Sequence, residues 1–394
     1  MSNAASAPLG GGPLGVGVVG TGVISGIYMR NVPLFPGLRL VGCADVRPEA
    51  ARAQAEAYGT RAMSVDELLA DPEIGLVLNL TVPNAHFAVS NDALGAGKHV
   101  FSEKPLCATL EDGRRLVAEA DGRGLKLGCA PDTFLGAGGR LARRLTDDGT
   151  VGRIVAGSAT IMSRGMEAWH PDPEWFFKPG GGPVLDMGPY YFAALINVLG
   201  PVARVQALSS TGYKERVITA KGPRTGDRIT VETPTSVFAL LQFASGASVT
   251  LSMSWDVHRH SHPAIELYGT EGSLRVPDPN FFGGTVEYTK GGGEWQSAPT
   301  ADMTFGQPNW RSPNWPPERP DQANYRCLGM ADLASAVLHG TPHRSSGRLA
   351  LHALEAMYAV LQAGESGETV DVGTPVERPP ALGENDASKL TEGA

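Results

Sequence analysis

Cysteine is scarce. The 394 residues hold four, at positions 43, 107, 129 and 327, and their spacing fits no metal or redox motif. That excludes a disulfide framework and leaves four small buried hydrophobes in a reducing compartment. No apolar run approaches the ~20 residues that a bilayer-spanning helix requires. Positive charge is not in surplus: 33 Lys and Arg stand against 41 Asp and Glu, a net charge of −8, which argues against a nucleic-acid or anionic-membrane surface. The first residues, Met1 to Pro8, have neither a basic start nor an apolar core, so they do not read as a secretory signal. Residues 1–13 read as a disordered tail or tag remnant, and the chain is expected in the cytoplasm. No internal repeat is visible. With 42% hydrophobic and 19% charged residues, the composition is that of a globular protein long enough for two cores.

Glycine, by contrast, is plentiful at 50 residues, and one cluster follows an apolar strand. Val16–Val19 leads into Gly20-Thr21-Gly22-Val23-Ile24-Ser25-Gly26, a helical pattern runs to Asn31 and is halted by Pro33, and a second strand spans Leu38–Ala44. In a strand–turn–helix–strand unit of this kind, Gly20 permits the tight turn and Gly22 removes the Cβ that would obstruct a pyrophosphate. Val23 and Ile24 open the helix, whose unpaired N–H groups face the phosphates. Ser25 supplies the small residue that helix–strand packing needs. Asp45 ends the second strand, 25 residues past Gly20, where a carboxylate accepts a ribose hydroxyl and repels a 2′-phosphate. NAD is therefore expected, and Arg47, able to pair with such a phosphate, keeps NADP open.

The alternation continues. A helix from Glu49 to Tyr58 lies between Pro48 and Gly59, Ser64 and Glu67 form a capping box, and Leu76–Thr81 is a nearly all-apolar strand. A helix from Phe87 to Ala96 closes at Gly97, His99–Ser102 is the next strand, Thr109 and Asp112 cap a helix, and Leu125–Cys129 is a further strand. Ligands of open α/β sheets bind beyond the carboxyl ends of the strands. Thr81, Pro83, Asn84 and His86, then Glu103 and Lys104, lie at such ends and join Gly20 and Asp45 around one coenzyme crevice.

Together with Gly180-Gly181-Gly182-Pro183-Val184-Leu185-Asp186, these motifs resemble the Gfo/Idh/MocA family of NAD(P)-dependent oxidoreductases, with Glu103-Lys104-Pro105 the most specific mark. The resemblance implies an α/β fold: a Rossmann doubly wound parallel sheet over residues 14–130, then a substrate-binding and oligomerisation α/β domain over 131–373 with an open, mostly antiparallel sheet. A polar tail, 374–394, would follow. It further implies a carbohydrate or cyclitol substrate, a homodimer or homotetramer, a catalytic Lys104 and a cis Lys104–Pro105 bond. Asp186 and Tyr190, four apart on one helix, face the same way. Many relatives carry histidine as proton relay where Tyr190 stands. A tyrosine hydroxyl titrates near pH ~10, so as a proton donor it needs no shift, whereas as a base it needs help from a cation such as Lys104. Ketone reduction near neutrality and alcohol oxidation at alkaline pH are expected.

Farther on, a helix is expected over Gly138–Asp148 and strands over 153–160, 231–237, 239–243, 247–255 and 264–268. Trp169, His170, Trp175 and Phe176 suit either a substrate-pocket wall or a loop pinned to the core. His258, His260 and His262 alternate, but Pro263 disturbs a strand there, so no metal is expected and contact of His258 with a polyhydroxy substrate is preferred. Residues 278–325, with Trp295, Trp310 and Trp315, are expected to be irregular and to cover the cleft or a subunit contact. Helices follow over 330–338 and 346–363, and the tail from Thr374 is expected to be mobile. The leading function is hydride transfer between nicotinamide and a hydroxyl or keto carbon of a sugar, sugar derivative or cyclitol, with Lys104, Asp186 and Tyr190 as catalytic residues. The alternatives are an NAD-dependent glycosidase working through transient oxidation and a non-catalytic NAD(P)-binding sensor.

Overall fold

A computed structural model describes residues 12–309 and 323–392. Its first unit runs β1 (Leu14–Val19), α1 (Ser25–Asn31), β2 (Leu38–Ala44), α2 (Pro48–Tyr58), β3 (Arg61–Ala62), α3 (Val65–Ala70), β4 (Leu76–Asn79), α4 (Pro83–Gly95), β5 (His99–Ser102), α5 (Leu110–Arg123) and β6 (Leu127–Cys129). The six strands pair in the order β3-β2-β1-β4-β5-β6, all parallel. The order reverses between β1 and β4, the switch point beyond whose strand ends open α/β sheets bind their ligands. Local chemistry explains most boundaries. Ser64 and Glu67 close the expected capping box, Thr109 caps α5 through the Asp112 N–H, and Gly59 ends α2 in the left-handed conformation. Helix α4 begins at Pro83, four residues ahead of the expected Phe87, because proline is well suited to a first helical position.

The chain continues through α6 (Ala137–Asp147), β7 (Ile154–Met162), α7 (Gly182–Leu199), β8 (Val202–Ser210), β9 (Glu215–Val217), β10 (Arg228–Thr230), β11 (Ser236–Phe243), β12 (Ser248–Ser254), β13 (Ile265–Gly269), β14 (Ser273–Val276), β15 (Val286–Tyr288), β16 (Gln296–Ala298), α8 (Leu328–His339), α9 (Gly347–Ser366), β17 (Val370–Asp371) and α10 (Glu384–Glu392). Nine strands form one sheet, β16-β15-β14-β13-β7-β12-β11-β8-β17, antiparallel throughout except for the parallel pair β7–β12. Alternate residues of β8, β11 and β12, among them Val205, Leu241 and Leu251, turn inward onto α7 and α9. The opposite face carries no helix among the described residues. The principal core is continuous from Val16 of β1 to Leu195 of α7 and Leu354 of α9, so the C-terminal helices pack on both sheets.

Several expectations change. The strands expected over 231–237 and 239–243 are one strand, β11, which starts after Pro234. Within the segment expected to be irregular, β15 and β16 extend the large sheet and Trp295 stacks under the Arg275 guanidinium, 3.8 Å from its ring centre; Trp310 and Trp315 lie outside the described residues. The tail is polar but seated. Arg140 pairs with Glu384, Arg143 donates to the Pro379 carbonyl at 2.8 Å, Arg344 donates to that of Pro380 at 3.1 Å, and Ala387 of α10 is fully buried. Arginines rooted in the body of the protein hold this segment down, which composition could not reveal. No described helix is long and apolar enough to cross a membrane.

Candidate active site

The glycine turn is built as its sequence demands. Gly20 has φ +95°, and a Cβ there would stand 2.7 Å from the Leu80 carbonyl, so the turn after β1 lies directly against the loop after β4. At Gly22 a Cβ would meet nothing within 4 Å: the backbone is bare toward the crevice, as close approach of a pyrophosphate requires. Ser25 is buried, its hydroxyl donating to the Gly22 carbonyl at 2.7 Å. Val23 is fully exposed, Ile24 half-buried, and exposed valines also follow β2 (Val46) and β4 (Val82). Apolar side chains bared at three strand ends around one crevice suit the flat faces of a dinucleotide. Val46 and Val82 were not among the expected site residues, although an apolar residue in a loop beyond a parallel strand is a readable signal.

Asp45 is already engaged by the turn. Its Oδ2 accepts the Thr21 N–H at 2.8 Å and the Thr21 hydroxyl at 2.9 Å, and Oδ1 accepts the Arg47 N–H at 3.0 Å. Burial alone would raise this carboxyl, but the hydrogen bonds from Arg47 and Thr21 hold it below the usual carboxylate range. It is therefore an anion that clamps the glycine turn and keeps a lone pair on Oδ1 free for a hydroxyl. The Arg47 side chain is exposed beside it.

The loop after β4 supplies Thr81, whose N–H and hydroxyl both bond Asn79 Oδ1, then Pro83 and an exposed Asn84 at the head of α4. His86 departs from its expected role as a coenzyme contact. It is buried, with Nδ1 2.7 Å from the Pro105 carbonyl and Nε2 3.0 Å from the Thr81 carbonyl. It lies on the inward side of α4 and ties the loop after β4 to the loop after β5. The Glu103 carboxylate is also occupied, accepting the Tyr28 hydroxyl at 2.7 Å and the Lys104 N–H at 2.8 Å, and so fixes the backbone that presents Lys104. The Lys104–Pro105 and Ala130–Pro131 peptides are cis.

Lys104 reaches across to α7. Its ammonium donates to the Asp186 carbonyl and to Asp186 Oδ1, both at 2.8 Å, and stands 5.5 Å from the centre of the Tyr190 ring. Burial alone would lower the lysine, but the Asp186 carboxylate, and after it Tyr190 and Glu103, hold it above the usual lysine value. It is a permanent cation, suited to steady a developing oxyanion rather than to accept a proton. Pro189 interrupts the hydrogen-bond ladder of α7 between Asp186 and Tyr190. A second cation was not foreseen: Arg326 Nη2 lies 3.5 Å from the Tyr190 hydroxyl. Its only sequence signal was an arginine just ahead of a helix, which marks nothing unless the fold brings it there.

Trp169, His170 and His258 lie elsewhere. Trp169 is exposed, its ring edge-on to His170 at 5.5 Å, and His170 packs against Phe176 at 5.3 Å, in the segment leading into α7. Among the described residues no hydrogen bond, ion pair or ring contact joins these three to Lys104, Asp186 or Tyr190. Strand β12 stops at Ser254, so His258, His260 and His262 sit on an exposed loop and do not alternate along a strand; the described residues contain no metal-binding cluster.

A bare glycine turn and a lysine–carboxylate pair beside a tyrosine, beyond the strand ends of a parallel six-stranded sheet, fit a nicotinamide-dependent oxidoreductase of two-domain build. Residues 14–130 match the profile described as "Oxidoreductase family, NAD-binding Rossmann fold", and residues 140–275 match the GFO/IDH/MocA C-terminal domain. The chain belongs to the Gfo/Idh/MocA family. It is 28% identical to 1,5-anhydro-D-fructose reductase of Ensifer adhaerens over 82% of this chain and 88% of the relative. It is 30% identical to dTDP-3,4-didehydro-2,6-dideoxy-alpha-D-glucose 3-reductase of Streptomyces violaceoruber over 78% and 79%. The apo structure of levoglucosan dehydrogenase superposes with a TM-score of 0.77 at 21% identity, covering 93% of this chain and all of that one. NAD is the coenzyme its first domain is built for.

Proposed function

We propose that the protein catalyses reversible hydride transfer between nicotinamide and a hydroxyl-bearing or keto carbon of a sugar, sugar derivative or cyclitol. The bound dinucleotide supplies or takes the hydride. Tyr190 gives its proton to the substrate carbonyl oxygen in reduction and takes one from the hydroxyl in oxidation, Lys104 steadies the charge on that oxygen, and Asp186 holds Lys104 and a neighbouring substrate hydroxyl. The observation that carries this reading is the Lys104 ammonium, held by Asp186 at 2.8 Å while it stands over the Tyr190 ring beside the coenzyme crevice. Trp169, His170 and His258, which no described contact joins to this centre, are given no part in the transfer. Relatives named for reduction of anhydro- and deoxysugars support the substrate class.

All four cysteines are free and buried, which suits the reducing cytoplasm to which we assign the chain. We also assign a homodimer or homotetramer built on the bare face of the large sheet. Leu208 and Phe238, directly opposite each other on β8 and β11, are 73% and 49% exposed, with Leu240 beside them.

The test is incubation with NAD and NADP against hexoses, ketosugars, anhydrosugars, glycosides and inositols while nicotinamide absorbance is followed. Coenzyme turnover with one of them is expected, with NAD preferred. Replacing Lys104 by methionine should lower kcat by about 10²–10³ while NAD still binds. Product release without net NADH would instead indicate the glycosidase reaction, and an unaffected K104M protein would indicate a sensor.

A further inference from the structure

Tyr190 is a poor place to leave a negative charge unaided. It is 8% exposed, so little water reaches it, and Lys104 is committed to Asp186 by two bonds and makes no described hydrogen bond to the Tyr190 oxygen. Among the described residues, the cation at the oxygen itself is Arg326, with Nη2 3.5 Å away. Its guanidinium makes no ion pair with any described residue. Beyond Tyr190 itself, Tyr28, Glu103 and Asp132 act on it through their charge from farther off.

The backbone that carries Arg326 is held with unusual care. Its carbonyl accepts the amide of the buried Asn31 at 2.9 Å, and its N–H donates to Asn324 Oδ1 at 3.3 Å. The next residue, Cys327, has φ +99°, a left-handed conformation foreign to a side chain of its kind, and its thiol donates to the Tyr28 carbonyl at 3.3 Å. The hydroxyl of the same Tyr28 bonds Glu103, which holds Lys104. One network, rooted in α1, thus sets both cations around the phenol, and a strained residue persists where it aims a guanidinium.

We propose that Arg326 is a positioning residue for proton transfer: it orients the Tyr190 hydroxyl and receives the negative charge left on that oxygen when its proton departs. The inference rests on the reading of Tyr190 as the proton carrier. In reduction the carbonyl carbon gains hydride from reduced nicotinamide, the Tyr190 O–H bond breaks, its proton passes to the substrate oxygen, and the bonding pair stays on Oη opposite Arg326. Solvent then returns the proton. Oxidation runs the same exchange backward. The charged and titratable groups around the phenol are Lys104 and Asp186, with Tyr28, Glu103 and Asp132 behind Arg326.

The test uses the full chain with NAD bound and follows tyrosinate formation by ultraviolet difference spectroscopy over rising pH, beside kcat for the sugar that the coenzyme panel identifies. The signal absent from Y190F marks Tyr190. In R326Q it should emerge about one pH unit or more later than in the parent, kcat should fall at least tenfold with NAD affinity intact, and the R326Q/Y190F pair should lose no more than Y190F alone. R326K, which keeps the charge, should restore the parent pH profile with part of kcat, and it decides the matter if R326Q does not fold. An unshifted tyrosinate signal, additive losses in the double variant, or an R326K profile displaced like that of a neutral residue would overturn the proposal. A fully active Y190F would instead end the reading of Tyr190 itself.

Discussion

Gly20 and Gly22 look alike in the sequence and do different work. Gly20 combines a positive φ with a backbone neighbour 2.7 Å from where a Cβ would go, whereas Gly22 faces open space. G20A should therefore lower unfolding stability by roughly 1–3 kcal/mol in denaturant titration and weaken NAD as a consequence. G22A should leave stability alone and still weaken NAD in a binding titration. The reverse pattern would mean that the coenzyme does not pass over Gly22. That Lys104, Asp186 and Tyr190 meet was legible, because the sequence marks a strand end ahead of Lys104 and a helix that carries Asp186 and Tyr190 four apart. His86 was misread, and Arg326 was not seen. Which way a helical residue faces, and what a chain segment 136 residues away brings to a hydroxyl, are settled by contacts that no local pattern encodes.

Helix α8 shows the same limit in an element. Its first turn is capped from outside by Asp132, whose Oδ2 accepts the Gly329 N–H at 2.8 Å, and burial pushes this carboxyl up to about 6. An acid whose folded value exceeds its unfolded one makes the native state bind more protons than the unfolded state, here between about pH 4 and 6. Stability from this group is thus greatest below that window and declines as pH rises through it, by on the order of 2–3 kcal/mol. D132N, which cannot ionise, should lack the decline, so the difference between parent and variant stability, measured by denaturant titration from pH 4 to 7, should change across the window. A pH-independent difference would place the charge elsewhere. Capping boxes, terminal glycines and Pro48 set other boundaries correctly for local reasons. The short strands β9, β10, β15, β16 and β17 were missed because each is two or three residues long and is a strand only by virtue of its partner, and β8 and β14 were missed although they are longer.

The assembled protein leaves one broad surface unexplained by its own chain: the face of the nine-stranded sheet bearing Leu208, Phe238 and Leu240. If a second copy covers it, L208D and F238D together should shift the mass seen by light scattering toward the monomer while the circular dichroism spectrum stays the same. An unchanged mass would move the interface to another face. Two domains, the parallel sheet and the crevice beyond its strands could be read from residue order, since glycine torsions, caps and period-two alternation act within a few residues and need no knowledge of the rest. The seated tail, the inward-facing His86, the carboxylate clamp on the glycine turn and the guanidinium beside Tyr190 emerged only when distant segments met. Each depends on the direction of a side chain across a packed boundary, and that direction comes from the shape of the folded core.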